Sequence, residues 1–80
     1  MDYAQGRVVR SLKGHDKGSL FLVEKTEGNF VWLTDGKNRK KHNPKKKNSK
    51  HVVETEHLIP EFETLSDKNI RKQLNRLKQK

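Results

Sequence analysis

Residues 19–35 read SLFLVEKTEGNFVWLTD, and the spacing of apolar residues in this stretch decides the fold. SLFLVEK (19–25) puts Phe21 and Val23 on one face of an extended chain and Leu20 and Leu22 on the other. FVWLTD (30–35) is again apolar on both faces. Each run is about six residues long, too short for an ordinary helix, and the glycine-containing TEGN (26–29) separates them. β-branched and aromatic residues suit a pleated surface, so two strands and a turn are expected here. Phe21 and Phe30 are expected in the core. Trp32, between Val31 and Leu33, is read as a core or sheet-covering residue rather than one that stacks on a base.

Moving outward, GRVVRSL (6–12) is a further strand, joined to the first run by KGHDKG (13–18). That segment is turn-like because its glycines tolerate positive φ. HVVETEHLI (51–59) is a fourth strand. Apolar residues on both faces of a strand need two coverings. A small curled antiparallel sheet, filled inside and covered outside by the C-terminal segment, meets that need. Val8, Leu20, Leu22, Val31 and Leu33 are grouped as one face, with either this set or its opposite-face neighbours turned inward.

The tail LSDKNIRKQLNRLKQK (65–80) changes period: Ile70, Leu74 and Leu77 fall at i, i+4 and i+7 of a helix. Ser66 is a fair N-cap, and Asp67 suits the first turn. The other faces are basic, with Lys68, Arg71, Lys72, Arg76, Lys78 and Lys80. The narrow apolar stripe predicts loose docking and a frayed end. Pro60 marks the break between strand and tail.

Between the apolar runs lies DGKNRKKHNPKKKNSKH (35–51), with eight lysines and arginines and a single acidic residue. The whole chain of 80 residues carries a formal charge of +9 and is only 29% apolar. A chain of that size forms one small domain. The segment 38–49 lacks apolar residues, so its burial cannot offset the entropy of ordering, and a mobile loop is expected. In an antiparallel meander, alternate connections emerge at the same end. Loop 13–18 then lies beside the long loop, while TEGN and Glu24 and Glu27 lie at the other. One pole gathers Lys13, Gly14, His15, Lys17, Gly18, Lys37, Arg39, Lys40, Lys41, Lys45, Lys46, Lys47 and Lys50 as an anion-binding surface. Gly14, Gly18 and Gly36 would let backbone N–H groups approach phosphate closely. On this reading, Lys45, Lys46 and Lys47 serve binding and add little to stability.

GRVVRSLKGHDKGSLFLVEKTEGNFVWLTDGK (6–37), followed by NPKKKNSKH (43–51), resembles a KOW domain. It is most similar to the N-terminal domain of the ribosomal protein L fourteen-e family and its small bacterial relatives. The resemblance rests on Gly6, the pair Gly14 and Gly18, LFLV, Asp35-Gly36, the Asn43 to Asn48 segment and the strand start at Lys50 to Val52, and it spans about residues 5 to 58. It implies a mainly β, small SH3-like antiparallel β-barrel with a C-terminal α-helix, contacting ribosomal RNA or another RNA. The domain layout is then a barrel over 1–60 with its basic loop at 37–50, and a linker with a basic amphipathic helix over 61–80. Charge alone does not separate RNA from DNA; the resemblance favours RNA. Partners are expected to be ribosomal RNA and neighbouring ribosomal proteins, met by a monomer.

Competing readings are narrower. The chain lacks cysteine, and His15, His42, His51 and His57 are irregularly spaced, so neither a metal nor another cofactor is expected. Glu54, Glu56, Glu61 and Glu63 suit an exposed edge better than an acid–base pair. No nucleophile–base constellation is visible, and catalysis is not expected. MDYAQGRVV lacks the basic start and apolar run of a signal peptide, and no stretch is apolar for long enough to span a bilayer, so a cytoplasmic protein is expected. A protein-interaction module of a transcription or translation complex is the alternative; it would need a large exposed apolar patch.

Overall fold

A computed structural model of the chain describes residues 3–78. Five antiparallel strands form one sheet: β1 (Arg7–Ser11), β2 (Leu20–Glu27), β3 (Phe30–Thr34), β4 (Lys45–Asn48) and β5 (Val52–Leu58). A C-terminal helix, α1 (Asp67–Lys78), follows a short 3-10 turn at Phe62–Thr64. The spatial order is β4-β3-β2-β1-β5. The two edge strands are consecutive in sequence, linked only by the 3-10 turn Ser49–His51. The four Cα–Cα steps from Asn48 to Val52 reach at most about 14 Å at full extension, whereas the edges of a flat five-stranded sheet are separated by about 19 Å. The sheet therefore curls strongly.

Two register shifts supply the curl. On β2, Val23 faces Leu33 but Lys25 faces Trp32, so Glu24 is an extra residue. On β5, the pairing jumps from Leu58 opposite Arg7 to Glu54 opposite Val9. Such bulges bend a strand and raise its twist. Within the second, Thr55 Oγ1 donates to Val8 O at 2.8 Å, which satisfies a carbonyl that the ladder leaves open.

The sheet is buried on both faces, as the doubly apolar strands require. Inside the curl lie Val9, Phe21, Val23, Val31, Leu33 and Val52, closed by Tyr3. Tyr3 is tied down by Thr26: its N–H donates to Thr26 Oγ1, and that hydroxyl donates to Tyr3 O, both at 3.1 Å. Burial, aided by the Glu54 carboxylate, raises the pKa of its phenol. Outside lie Val8, Leu20 and Leu22, covered by Ile59, Phe62, Ile70 and Leu74.

The helix packs its apolar stripe on the outer face of the sheet. Ile70 and Leu74 are buried, together contributing about 3–6 kcal/mol, and Leu65 and Leu77 pack at their margin. Ser66 caps it, its Oγ accepting from Asn69 N at 3.2 Å. The expected last residues of the helix, 79 and 80, lie outside the described residues, as do residues 1 and 2 of the expected barrel span. No helix among the described residues is long and apolar enough to cross a membrane.

Three expectations need correction. Residues 45–48 are not loop but strand β4. The fourth strand of the expected meander is β5, and it pairs with β1 rather than continuing from β3. Val31 and Leu33 do not share a face with Leu20 and Leu22, because the Leu33–Val23 pairing puts them on the opposite side.

Candidate nucleic-acid interface

The connection between β1 and β2 is organised by Asp16. Its Oδ1 accepts from Ser11 Oγ at 2.6 Å and from Lys47 Nζ at 2.8 Å, while Oδ2 accepts from Lys45 Nζ at 2.6 Å. The Asp16 and Lys47 side chains are only 15% and 9% exposed, against 30% for Lys45. Burial pushes the Asp16 carboxyl up, but hydrogen bonds from Lys45, Lys47 and Ser11 and the charge of Lys47 outweigh it. The carboxyl is held well below the usual carboxylate range. Lys47 Nζ also donates to Lys13 O at 2.7 Å, closing the loop against β4.

These contacts explain how KKKN becomes a strand. Lys45 and Lys47 alternate with Lys46, so the first two point inward opposite Leu33 and Val31. Their stems lie against the core and their ammonium groups reach Asp16. Lysine also suits an edge strand, where it discourages pairing with another chain.

The β3–β4 connection is equally built. Asp35 Oδ1 accepts from the N–H groups of Lys37 and Arg39, each at 2.9 Å, which folds residues 35–39 into a tight turn. Gly36 has φ +74°, and a Cβ there would overlap the Asp67 carbonyl of α1. Its bareness therefore serves helix packing, not the approach of a phosphate. Lys41 is a clip: its N–H donates to Asp67 Oδ1 at 2.8 Å, and its Nζ donates to Phe62 O at 2.9 Å and Leu65 O at 2.8 Å.

The structure thus divides the thirteen-residue set read from sequence. Lys13, Gly14, His15, Lys17 and Gly18 on one loop, and Lys37, Arg39 and Lys40 on the other, come together at one end of the sheet. The two loops wall a cleft of ≈ 290 Å³ to which His15, Asn38, Arg39 and Lys45 contribute. Lys13, Lys17, Lys37 and Lys40 are exposed and join no salt bridge among the described residues. Lys41, Lys45 and Lys47 are committed to internal partners. Lys50 stands outside both loops, in the turn after β4. Lys46 is turned to the outer face of the sheet, with its Nζ 4.3 Å from the Phe30 ring centre. The thirteen-residue set leaves out Lys68 and Arg71, which the sequence places on the basic faces of the helix. The close approach of α1 to Gly36 brings these exposed cations beside the β3–β4 loop, and only the glycine hinted at it.

One aromatic assignment also changes. Phe30 is 39% exposed rather than core. Trp32 is half-buried on the outer face, with Lys25 Nζ 4.6 Å and Lys46 Nζ 5.7 Å from its ring centre. The Glu24 bulge puts Lys25 opposite Trp32, and so produces this row.

A scan against models of known families finds no match to this chain, and a search of curated proteins finds no significant match.

Proposed function

We propose that the protein is a non-enzymatic RNA-binding module, with its curled sheet serving as a KOW-type SH3-like barrel. The observation that carries this reading is that two loops distant in sequence wall one cleft, and these loops carry Lys13, Lys17, Lys37 and Lys40. All four are exposed and free of salt bridges among the described residues. Like charges held on neighbouring loops repel one another, and a polyanion relieves that cost. Arg39 at the cleft adds a planar donor suited to phosphate. The resemblance to ribosomal KOW domains makes ribosomal RNA in the cytoplasm the first candidate, with ribosomal proteins as neighbours.

Phosphate contacts position an RNA without reading its sequence, so affinity should depend strongly on salt. Five loop cations in contact give a slope of log K against log salt of about −3.5 to −4.5. Between about 50 and 200 mM salt, binding should weaken on the order of 10²- to 10³-fold. Replacing Lys13, Lys17, Lys37 and Lys40 by Gln should lower the slope by roughly 3 units, with little change in melting temperature because all four are exposed. An unchanged slope would move RNA off this pole. Absence of RNA binding at low salt would put a protein partner first.

A further inference from the structure

The outer side of β3 carries a feature that the basic pole does not use. Phe30 and Trp32 alternate with buried Val31 and Leu33 and so share one face. Lys25 of β2 and Lys46 of β4 flank Trp32 in register, and their ammonium groups lie over the two rings. Helix α1 covers the Leu20 and Leu22 end of this face and leaves the Phe30 end open.

We infer that this face is a stacking platform for unpaired bases of single-stranded RNA, with Lys25 and Lys46 engaging the flanking phosphates. The inference rests on the RNA reading above and adds the class of RNA. Residues i and i+2 of a strand are separated by about 7 Å. That is roughly twice the rise between stacked bases along one nucleic-acid strand. Each ring therefore takes its own base, and the bases must be splayed apart, which a duplex does not permit. The lysines presently shield the rings. When a nucleotide arrives, each ring exchanges an exposed cation contact for the stronger stacking of a base, and each lysine gains a phosphate. Opposite Phe30, Asn48 commits its Oδ1 to the Lys50 N–H at 2.9 Å, so that oxygen does not read base edges. Recognition is then tolerant of base sequence, as stacking is.

Trp32 is the single tryptophan of the chain, so its emission reports this face alone. Wild type and Phe30→Leu are titrated with oligouridine of about ten nucleotides, within the usual span of single-strand sites, and with an RNA duplex of equal length. Affinities are measured separately by mobility shift. Oligouridine should quench Trp32, and Phe30→Leu should weaken its binding roughly fivefold or more, while duplex affinity stays unchanged. Phe30→Tyr should restore the loss. Melting curves should coincide, since leucine keeps an apolar side chain at an exposed position. Oligouridine binding that leaves Trp32 emission unaltered and is indifferent to Phe30→Leu would overturn the platform while leaving the phosphate-binding pole intact. Failure of both RNAs to bind at low salt would overturn the RNA reading and the platform with it.

Discussion

Asp16→Asn removes one charge and keeps the shape and one oxygen acceptor. The consequence depends on how much water the two lysines can reach. Lys45 is 30% exposed and can turn its ammonium outward at little cost. Lys47 is 9% exposed and held between Asp16 and the Lys13 carbonyl, so its charge would lose its counterion in place. Breaking a fully buried pair costs about 3–5 kcal/mol. A single charged hydrogen bond is worth about 1.5–3 kcal/mol. With one lysine affected and a carbonyl still accepting from it, a loss of about 2 kcal/mol is expected. For a domain of this size that lowers the melting temperature by about 8–16 °C. The sign with pH follows from the depressed Asp16 pKa. Its contribution is fully present above the unfolded carboxyl value of about 3.9 and is lost as pH falls through the lower folded value. Thermal melts of both proteins at neutral pH and at successively lower pH should therefore converge only in strong acid. The same substitution frees the Lys45 ammonium, so RNA affinity should gain up to about one unit in salt dependence while stability falls. If the variant melts within about 0.5 kcal/mol of wild type at neutral pH, as an ordinary surface change would, the hub is not structural and the reasoning fails.

Lys41→Met keeps an unbranched apolar side chain but removes the ammonium over the Phe62 ring and its donors to Phe62 O and Leu65 O. Urea unfolding should show a loss of about 2 kcal/mol, with faster amide exchange at the start of α1; equal stability would mean the clip contributes nothing. Gly36→Ala should be far more damaging than Gly18→Ala. Both residues have positive φ, but only at Gly36 would a methyl meet backbone, whereas Gly18 faces open space. Gly18→Ala should cost about 1–2 kcal/mol from strain alone, and Gly36→Ala clearly more, measured by thermal melts. Equal losses would show that α1 does not depend on close approach at Gly36.

The strands that were legible in the sequence, β1, β2, β3 and β5, are those in which apolar period and bounding turns agree. So was the helix, through Ile70 and Leu74. The need for two coverings also followed directly, because Leu20 and Leu22 alternate with Phe21 and Val23. What escaped depends on single residues whose meaning is set by distant partners. The Glu24 bulge leaves no compositional mark, yet it decides that Trp32 faces Lys25. Strand β4 escaped because lysine carries no strand preference. Its ordering comes instead from Asp16, 29 residues away from Lys45 in sequence. Tyr3 escaped because a lone aromatic near the start of the chain has no period to join.

That division of the lysines changes what the charge of the chain means for binding. Counted along the sequence, residues 35–51 with Lys13 and Lys17 offer ten cations. If all ten met phosphate, the salt slope would be about −7 to −9. In the fold, Lys41 already donates to carbonyls and Lys45 and Lys47 to a carboxylate, Lys46 lies over Phe30, and Lys50 stands apart. The loops therefore supply about half that slope. The two accounts separate most sharply in the triple change of Lys45, Lys46 and Lys47 to alanine. If these lysines were a solvated loop, the variant would lose about 2 to 3 units of slope and keep its stability. Because Lys45 and Lys47 hold Asp16, the variant instead loses stability, and only Lys46 is available to alter the slope. Within β4 the charge run is thus divided by alternation: Lys45 and Lys47 point inward and hold Asp16, and Lys46 points outward over the Phe30 ring.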